Sequence, residues 1–420
     1  MTATQTFPLH DLRAKIARVY EPLADARHVP GEFYASPHIA DVEKERIFLK
    51  TWLCVGRVEE IPEVGDYTTC VIADEPFVLA RDESREVVAY MNMCLHRGVE
   101  VVTGKGNAKD FSCPYHAWLY DIGGNLITAP RMKETHADLK NCRMRRLQSV
   151  TWRGWIFVTF NADPVPFAEF IAPFEGETLW WFKTEQCRLA EKMVIEVDCN
   201  WKLLVENLVD VYHVPVLHKG TFGGFVKKGK NDAFDVDLLP QGGWAYEQKA
   251  KAHSKTGTRT FPILPWLEGM ADDTSFRAGI YPNLSLSMRV DSLRMWQVWP
   301  VTPSKTKLEI YLMFPEVAFE DPNFRTHLED YKAFITQLVS EDASMVVSLQ
   351  RAMKSPFYEP GPLSGLESAV QHIMKNYLDV VTANDMAPAP RQSAAAVPAS
   401  CATSPGCADA ETAVTETTAT

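Results

Sequence analysis

The chain has 420 residues, of which 46% are hydrophobic and 23% charged, and it carries a formal net charge of −11. That length can bury more than one sizeable core, and no apolar run approaches the roughly 20 residues that would cross a bilayer. The acidic balance argues against a general nucleic-acid surface, and residues 1–12 lack the basic start and apolar core of a secretory signal, so a cytoplasmic setting is expected.

Residues 12–20 and 41–52 carry apolar positions at helical spacing, separated by the Pro30-Gly31 turn signal and Pro37, and are expected to form packing helices. From Tyr67 the pattern changes to short runs, 67–73, 77–81 and 87–91, rich in branched and aromatic residues between charged turns. These are predicted antiparallel strands. The same style continues through 118–120, the Gly123-Gly124 turn and 155–160. A small all-β domain over residues 47–165 follows, preceded by helices in 1–46 that pack on the domain beyond it. Pro164 and Pro166 mark its end, because proline lacks the N–H that a central strand needs.

Inside that β-domain stand Cys94-Leu95-His96, sixteen intervening residues, and Cys113-Pro114-Tyr115-His116. Two thiolates and two imidazoles could hold a structural zinc, but zinc sites usually pair like ligands in each knuckle. Here each knuckle supplies one of each. A Rieske-type [2Fe-2S] cluster binds one iron through both cysteines and the other through both histidines, so each loop must feed both metals. The Cys-x-His and Cys-x-x-His pairs do that, with Cys94, His96, Cys113 and His116 as ligands. Arg97 is read as a donor near the cluster, Tyr115 and Trp118 as core aromatics, and Gly98 and Pro114 as loop-shaping residues. The other cysteines, Cys54, Cys70, Cys142, Cys187, Cys199, Cys401 and Cys407, show no framework spacing and read as reduced thiols.

Residues 200–218 form the second informative stretch, read as a buried helix up to His213. Glu206, Asp210 and His213 fall at i, i+4 and i+7, a polar stripe in apolar surroundings that needs partners. Pro215 disfavours helical continuation, so a helix end and turn would have to bring His213 and His218 together. Two histidines and a carboxylate on one face commonly hold non-heme iron(II) and leave positions open for oxygen. Residues 321–354 look like a long helix or helix pair, and Glu341 and Asp342 offer the acid. By pattern alone a solvated acidic pair is an equal reading.

The loop texts Cys94-Leu95-His96-Arg97-Gly98 and Cys113-Pro114-Tyr115-His116-Ala117-Trp118, together with Glu206, Asn207, Asp210, Tyr212, His213 and His218, resemble the α subunits of the Rieske non-heme iron oxygenases. The resemblance covers nearly the whole chain. Glu341-Asp342 followed by Gln350-Arg351 is similar to that family's late acidic-ligand segment and implies Asp342 as the third iron ligand. It implies an α+β fold: a small antiparallel all-β Rieske domain beside a helix-grip catalytic domain, residues 166–386, with an antiparallel sheet and long helices. The strand-like runs 243–249, 278–289, 293–301 and 308–314 are consistent with that sheet. It further implies a [2Fe-2S] cluster passing electrons singly to a mononuclear Fe(II) that activates O2. Asp210 would bridge His213 to His116 of a neighbouring subunit in a homotrimer, and Asn207 is placed with it at the catalytic centre.

No Gly-x-Gly-x-x-Gly follows a strand, so electrons from NAD(P)H are expected through a separate reductase, with or without a ferredoxin; a small β subunit is an optional companion. Residues 387–420, rich in Ala, Pro, Ser and Thr, are expected to be a disordered tail. Asn207, Val211, Phe222, Phe225, Leu284 and Met288 are candidate pocket-lining residues. Asp210 and Val214-Pro215 resemble ring hydroxylases, so an aromatic substrate is preferred, an aromatic carboxylate among them with Arg277 or Arg289 as its salt partner. The alternatives are oxidative N- or O-demethylation or quaternary-amine monooxygenation on the same scaffold, and, from another class, a Rieske electron carrier without catalysis.

Overall fold

The computed structural model describes residues 16–135, 138–176, 179–221 and 235–383, with the backbone alone at 225–226. Phe222, the side chain of Phe225, and the tail with Cys401 and Cys407 lie outside the described residues. Ten short strands build the first half: β1 Leu53–Arg57, β2 Asp66–Ile72, β3 Glu75–Arg81, β4 Val87–Met91, β5 Lys105–Asn107, β6 Asp110–Ser112, β7 Leu119–Asp121, β8 Leu126–Thr128, β9 Arg146–Trp152 and β10 Trp155–Thr159. Seven of them pair in the order β1-β10-β9-β4-β3-β2-β5, and β6-β7-β8 make a separate three-stranded sheet. Val78, Ala80, Tyr90, Phe111, Trp118 and Tyr120 form one core between the two. The Gly123-Gly124 turn joins β7 to β8; Gly124 has φ +80°, and a Cβ there would meet the Tyr90 ring at 3.1 Å, so both conformation and space require glycine.

The second half is an antiparallel sheet of β11 Cys187–Val197, β12 Phe225–Val226, β13 Asp237–Leu239, β14 Gly243–Lys249, β15 Thr274–Ile280, β16 Leu284–Arg289, β17 Ser292–Thr302 and β18 Lys305–Pro315, ordered β11-β18-β17-β16-β15-β14-β12, with β13 also on β14. The expected single run 278–289 is two strands. Tyr281, Pro282 and Asn283 interrupt it, because proline cannot donate to a ladder, and the chain turns back on itself. Side chains alternate across the sheet and bury both faces. One face carries Trp244, Trp296, Ile310 and Leu312 against the helices Trp201–Val209, Phe324–Met353 and Ser368–Thr382. The other carries Phe276, Met288, Leu293 and Met295 toward Trp155 and Phe157 of the first half.

The helix Trp201–Val209 is the gripped element. Asn200 caps it by accepting the Lys202 amide at 3.1 Å, and its own amide donates to Gln350 of the long helix at 2.6 Å. Buried Glu43 takes the Lys202 ammonium, the Trp201 indole N–H at 2.8 Å and the Tyr377 hydroxyl at 2.8 Å, which ties three helical segments to one carboxylate. Truncating the fully buried Trp201 to alanine would cost roughly 3–5 kcal/mol. Near the N-terminus, the helix expected over 41–52 is instead Pro37–Glu43 followed by a wider π turn, Lys44–Phe48, and the described part of 12–20 is a 3-10 turn, Ala17–Val19. No described helix is long and apolar enough to cross a membrane. The fold is α+β, a small antiparallel β-domain with a helix-grip domain.

Candidate metal centres

The first centre forms where two loops repeat one hydrogen-bond pattern. The Cys94 amide donates to Val99 O at 2.9 Å and the Gly98 amide to Cys94 O at 2.8 Å; likewise Cys113 donates to Trp118 O at 2.8 Å and Ala117 to Cys113 O at 3.0 Å. Each closure needs a left-handed residue, supplied by Gly98 at φ +77° and by Ala117 at φ +56°. A non-glycine residue there stores strain, as metal and active sites often do. Both cysteines are buried while His96 and His116 reach the surface with their Nδ1 atoms 3.0 Å apart. Thiols inside and imidazoles outside is the donor arrangement that the two irons of a Rieske cluster need. Burial pushes the Cys94 thiol up, and the Tyr120 hydroxyl, 3.2 Å from its sulfur, opposes that.

His96 stacks on buried Trp118 with the rings 5.1 Å apart and 6° from parallel. Tyr115, expected in the core, is 52% exposed: it lies over His116, and Arg97 donates to its hydroxyl at 3.2 Å. An aromatic between two candidate ligands can be turned outward because the loop, not the sheet, sets its direction. Tyr120, which lies behind Cys94, escaped the sequence reading; its only signal was a tyrosine at an inward position of β7.

At the second centre the helix stops at Val209, four residues earlier than expected, because Asp210 takes extended backbone. Glu206, Asp210 and His213 therefore do not share one helical face. Asp210 instead accepts the Tyr212 amide through Oδ1 at 2.7 Å and meets His213 Nδ1 through Oδ2 at 2.8 Å. A single turn, Val214–Leu217, with Pro215 in its first turn where no N–H is missed, then carries the chain to His218. The two imidazoles converge with Nε2 atoms 3.2 Å apart. Asp342, on the one continuous helix Phe324–Met353, places Oδ1 2.9 Å from His218 Nε2 and 3.4 Å from His213 Nε2. Asn207 donates to the same oxygen at 3.2 Å.

Glu341 does not join that cluster. Its Oε2 lies 2.8 Å from His218 Nδ1 and accepts the Thr221 hydroxyl at 2.7 Å. Each histidine thus has one nitrogen aimed at the common point and the other held by a carboxylate, the outer arrangement that fixes tautomer and orientation in metal sites. Burial lowers His213, but the hydrogen bonds and charges of Asp210 and Asp342 outweigh it and raise the imidazole to about 9. Burial likewise raises Asp342, yet the two histidines overcome this and hold it down at about 2. His213, His218 and Asp342 offer donor atoms all within 4.8 Å of one another, a set able to hold one metal ion.

A cavity of about 260 Å³ opens on the Asp210 side, lined by His28, Tyr34, Glu206, Asn207, His213 and Met353 among others. Of the proposed lining residues, Val211 is buried beside the gripped helix, while Leu284 and Met288 belong to the core on the sheet's other face. Their place follows from the period-two alternation of β16, which puts them opposite Ser285, Ser287 and Arg289.

A cluster-binding β-domain joined to a helix-grip domain with a two-histidine, one-carboxylate set defines a Rieske-type oxygenase. The chain belongs to the family of Rieske ring-hydroxylating oxygenase α subunits: residues 51–149 match the Rieske [2Fe-2S] domain and 184–383 the ring hydroxylating alpha subunit catalytic domain. It is 26% identical to a chloroplastic choline monooxygenase of Arabidopsis thaliana over 88% of this chain and 87% of that protein. It is 31% identical to the α subunit of 2-aminobenzenesulfonate 2,3-dioxygenase of Alcaligenes sp. over 68% and 74%. Its fold is similar to that of the quaternary ammonium Rieske monooxygenase CntA in complex with its substrate L-carnitine, with a TM-score of 0.64, 24% identity and coverage of 84% and 96%. The chain is an oxidoreductase of the Rieske mono- and dioxygenase type, and members of this family use a Rieske cluster, a mononuclear iron and electrons from a reductase.

Proposed function

We propose that this chain oxidises a small quaternary or N-methylated amine, as the oxygenase component of a Rieske monooxygenase system. The observation that carries the oxygenase reading is the convergence of His213, His218 and Asp342 on one point with both outer imidazole nitrogens held by acids. A simple electron carrier has no use for that second centre. The near full-length likeness to a choline monooxygenase supports an amine over the aromatic ring that the sequence motifs favoured. Cys94, Cys113, His96 and His116 would hold the cluster, and His213, His218 and Asp342 the iron. When bound, the cluster supplies single electrons and the ferrous iron the place where dioxygen is activated. One oxygen atom enters the substrate and the other leaves as water, with two electrons and two protons consumed.

The residues of this chain orient and protect. Asp210 and Glu341 fix the two imidazoles, and Asn207 steadies the Asp342 oxygen. Asp210 also borders the open cavity, whose lining includes exposed Met345 and Leu349; exposed Tyr212, Val216 and Phe357 are the chain neighbours of the lining residues His213, Leu217 and Tyr358. The Rieske loops present exposed Leu95 and Tyr115 beside His96 and His116. We infer that the loop tip of a neighbouring copy seats on the exposed apolar residues at that cavity, making a trimer in which His116 of one protomer meets Asp210 of the next; residues 47–165 and 166–386 would be the domains so paired. Exposed apolar patches of this kind commonly mark interfaces.

A second reading, ring oxidation of an aromatic amine bearing an acid group, is favoured by Asp210 and by the aminobenzenesulfonate relative. The test is purified protein with an NAD(P)H-dependent Rieske reductase, O2, and choline, L-carnitine or 2-aminobenzenesulfonate. About three irons per chain and an aldehyde or lesser amine as product supports the proposal. A ring diol from the sulfonate alone favours the second reading, and two irons without any product reduces the chain to a carrier.

A further inference from the structure

We propose that Arg277, backed by Ser287 and Arg294, forms a site for a carboxylate or sulfonate group of the substrate; this rests on the reading of His213, His218 and Asp342 as the oxidising centre. Three arginines lie on adjacent strands of the catalytic sheet, Arg277 on β15, Arg289 on β16 and Arg294 on β17. Arg289 is engaged in structure: it donates to Ala250 O and to Asp272 O and pairs with Asp291 at 3.4 Å. Arg294 is fully buried and donates to Ser287 Oγ at 2.9 Å, with its Nη1 2.8 Å from His253 Nδ1. Its Nε–H has no acceptor, and neither has that of Arg277. Among the described residues, neither Arg277 nor Arg294 forms an ion pair. Of these three arginines, only Arg289 pairs with an acid among the described residues, Asp291, while burial and the arginines keep His253 well below its usual range.

Register decides where these charges point. Arg277 stands opposite Ser287, and Ser287 opposite Arg294, so the three share a face with the guanidinium stems roughly 10 Å apart. That face looks toward the metal-binding helices, because Arg277 Nη2 donates to Leu208 O at 2.9 Å, two residues before Asp210. Ala250, the acceptor of Arg289, packs on Val214 and Leu338, which adjoin His213 in sequence and precede Asp342 by one helical turn. Arg277 thus touches the end of the helix that leads into Asp210 and His213.

A plain helix cap would explain the Leu208 bond, but a neutral carbonyl does not balance the guanidinium's charge and leaves its buried Nε–H bare. Arg277 is only partly buried and has donors to spare, so an incoming oxyanion can take two of them in the bidentate geometry that guanidinium favours. Choline has no such group. L-carnitine and 2-aminobenzenesulfonate both do.

The test is calorimetric binding to the iron-loaded, cluster-containing protein with two probe pairs: glycine betaine against choline, and 2-aminobenzenesulfonate against aniline. Wild type should bind the carboxylate- or sulfonate-bearing member of at least one pair on the order of 10- to 100-fold more tightly; Arg277→Gln should erase that preference and Arg277→Lys restore part of it. Circular dichroism and the visible cluster bands check that each variant is folded. Equal binding within both pairs by wild type, no binding of either acid-bearing probe, or an unchanged preference in folded Arg277→Gln overturns the proposal; equal wild-type binding does so even if the variants do not fold. Arg277-dependent binding of the sulfonate with no binding of either trimethylammonium probe keeps the oxyanion site and defeats the amine reading. Equal, Arg277-independent binding of betaine and choline, with no preference for the sulfonate over aniline, does the reverse.

Discussion

Oε2 of Glu341 lies 2.8 Å from Nδ1 of His218, so the acid preceding Asp342 holds the imidazole from behind while Asp342 faces its other nitrogen. Neighbours on a helix point about 100° apart, which lets two consecutive acids take the two sides of one histidine. Glu341→Gln should keep the cluster and weaken ferrous binding roughly 10- to 100-fold, and Asp342→Ala should lose the mononuclear iron outright. Ferrous titration with counts of iron per chain checks this. Full iron in Asp342→Ala together with loss in Glu341→Ala would reverse the two roles.

Tyr120→Phe tests the first centre. The hydroxyl 3.2 Å from Cys94 Sγ also accepts the Leu95 amide at 3.0 Å, so it stabilises added electron density at sulfur and pins the loop. Losing a hydrogen bond of about 1 kcal/mol should lower the cluster's midpoint potential by about 40 mV with its absorption bands retained. An unmoved potential in protein film voltammetry would mean that Tyr120 only packs.

What the sequence disclosed was mostly local chemistry. Cys94, His96, Cys113 and His116 are legible as candidate cluster ligands because such ligands sit on short loops in a fixed order, and the two loops meet with the His96 and His116 Nδ1 atoms 3.0 Å apart. The convergence of His213, His218 and Asp342 was legible in part, since a proline after the first histidine announced a break. The break itself fell at Asp210 and not after His213, because the Asp210 side chain offers the next turn a cap that competes with helix continuation. By pattern alone Glu341 could not be told from Asp342, and the choice of Asp342 came from the family resemblance; the helix's rotation relative to His218 gives the two acids different nitrogens of that ring. Which face of β16 met the helices depended on a turn at Tyr281, Pro282 and Asn283 that a run of strand formers concealed. Arg277 and Arg289 looked alike in sequence; only pairing across strands shows that Arg289 already has Asp291 and two carbonyls.

Glu206 supplies a pH signature. Burial raises its carboxyl to about 7 despite the Tyr34 hydroxyl donating to it at 2.8 Å. The folded chain therefore keeps a proton that the unfolded chain releases above the usual 4.5, and this stabilisation is complete below 4.5 and lost as pH rises through about 7. Glu206→Gln carries no such titration while still accepting from Tyr34. Between pH 5 and pH 8 wild type should lose on the order of 3 kcal/mol relative to the variant. Parallel urea melts at the two pH values measure the difference, and equal losses would show that Glu206 titrates normally.

Asp210→Asn separates orientation of a ligand from stability of the fold. The carboxylate accepts the Tyr212 amide and holds His213 Nδ1, and an amide can replace the first contact but does not present the same acceptor to an imidazole N–H. Both metals should still bind, because Asp210 is not among the three donors that converge on the site. Transfer of the electron from pre-reduced cluster to iron should slow at least 10- to 100-fold, since the residue lies between His213 and the surface where the neighbouring Rieske tip is inferred to dock. A purely structural aspartate predicts instead a lower melting temperature with normal turnover per folded chain. Single-turnover kinetics with substrate and O2 distinguish them: cluster reoxidation at the wild-type rate, coupled to product, removes Asp210 from the electron path.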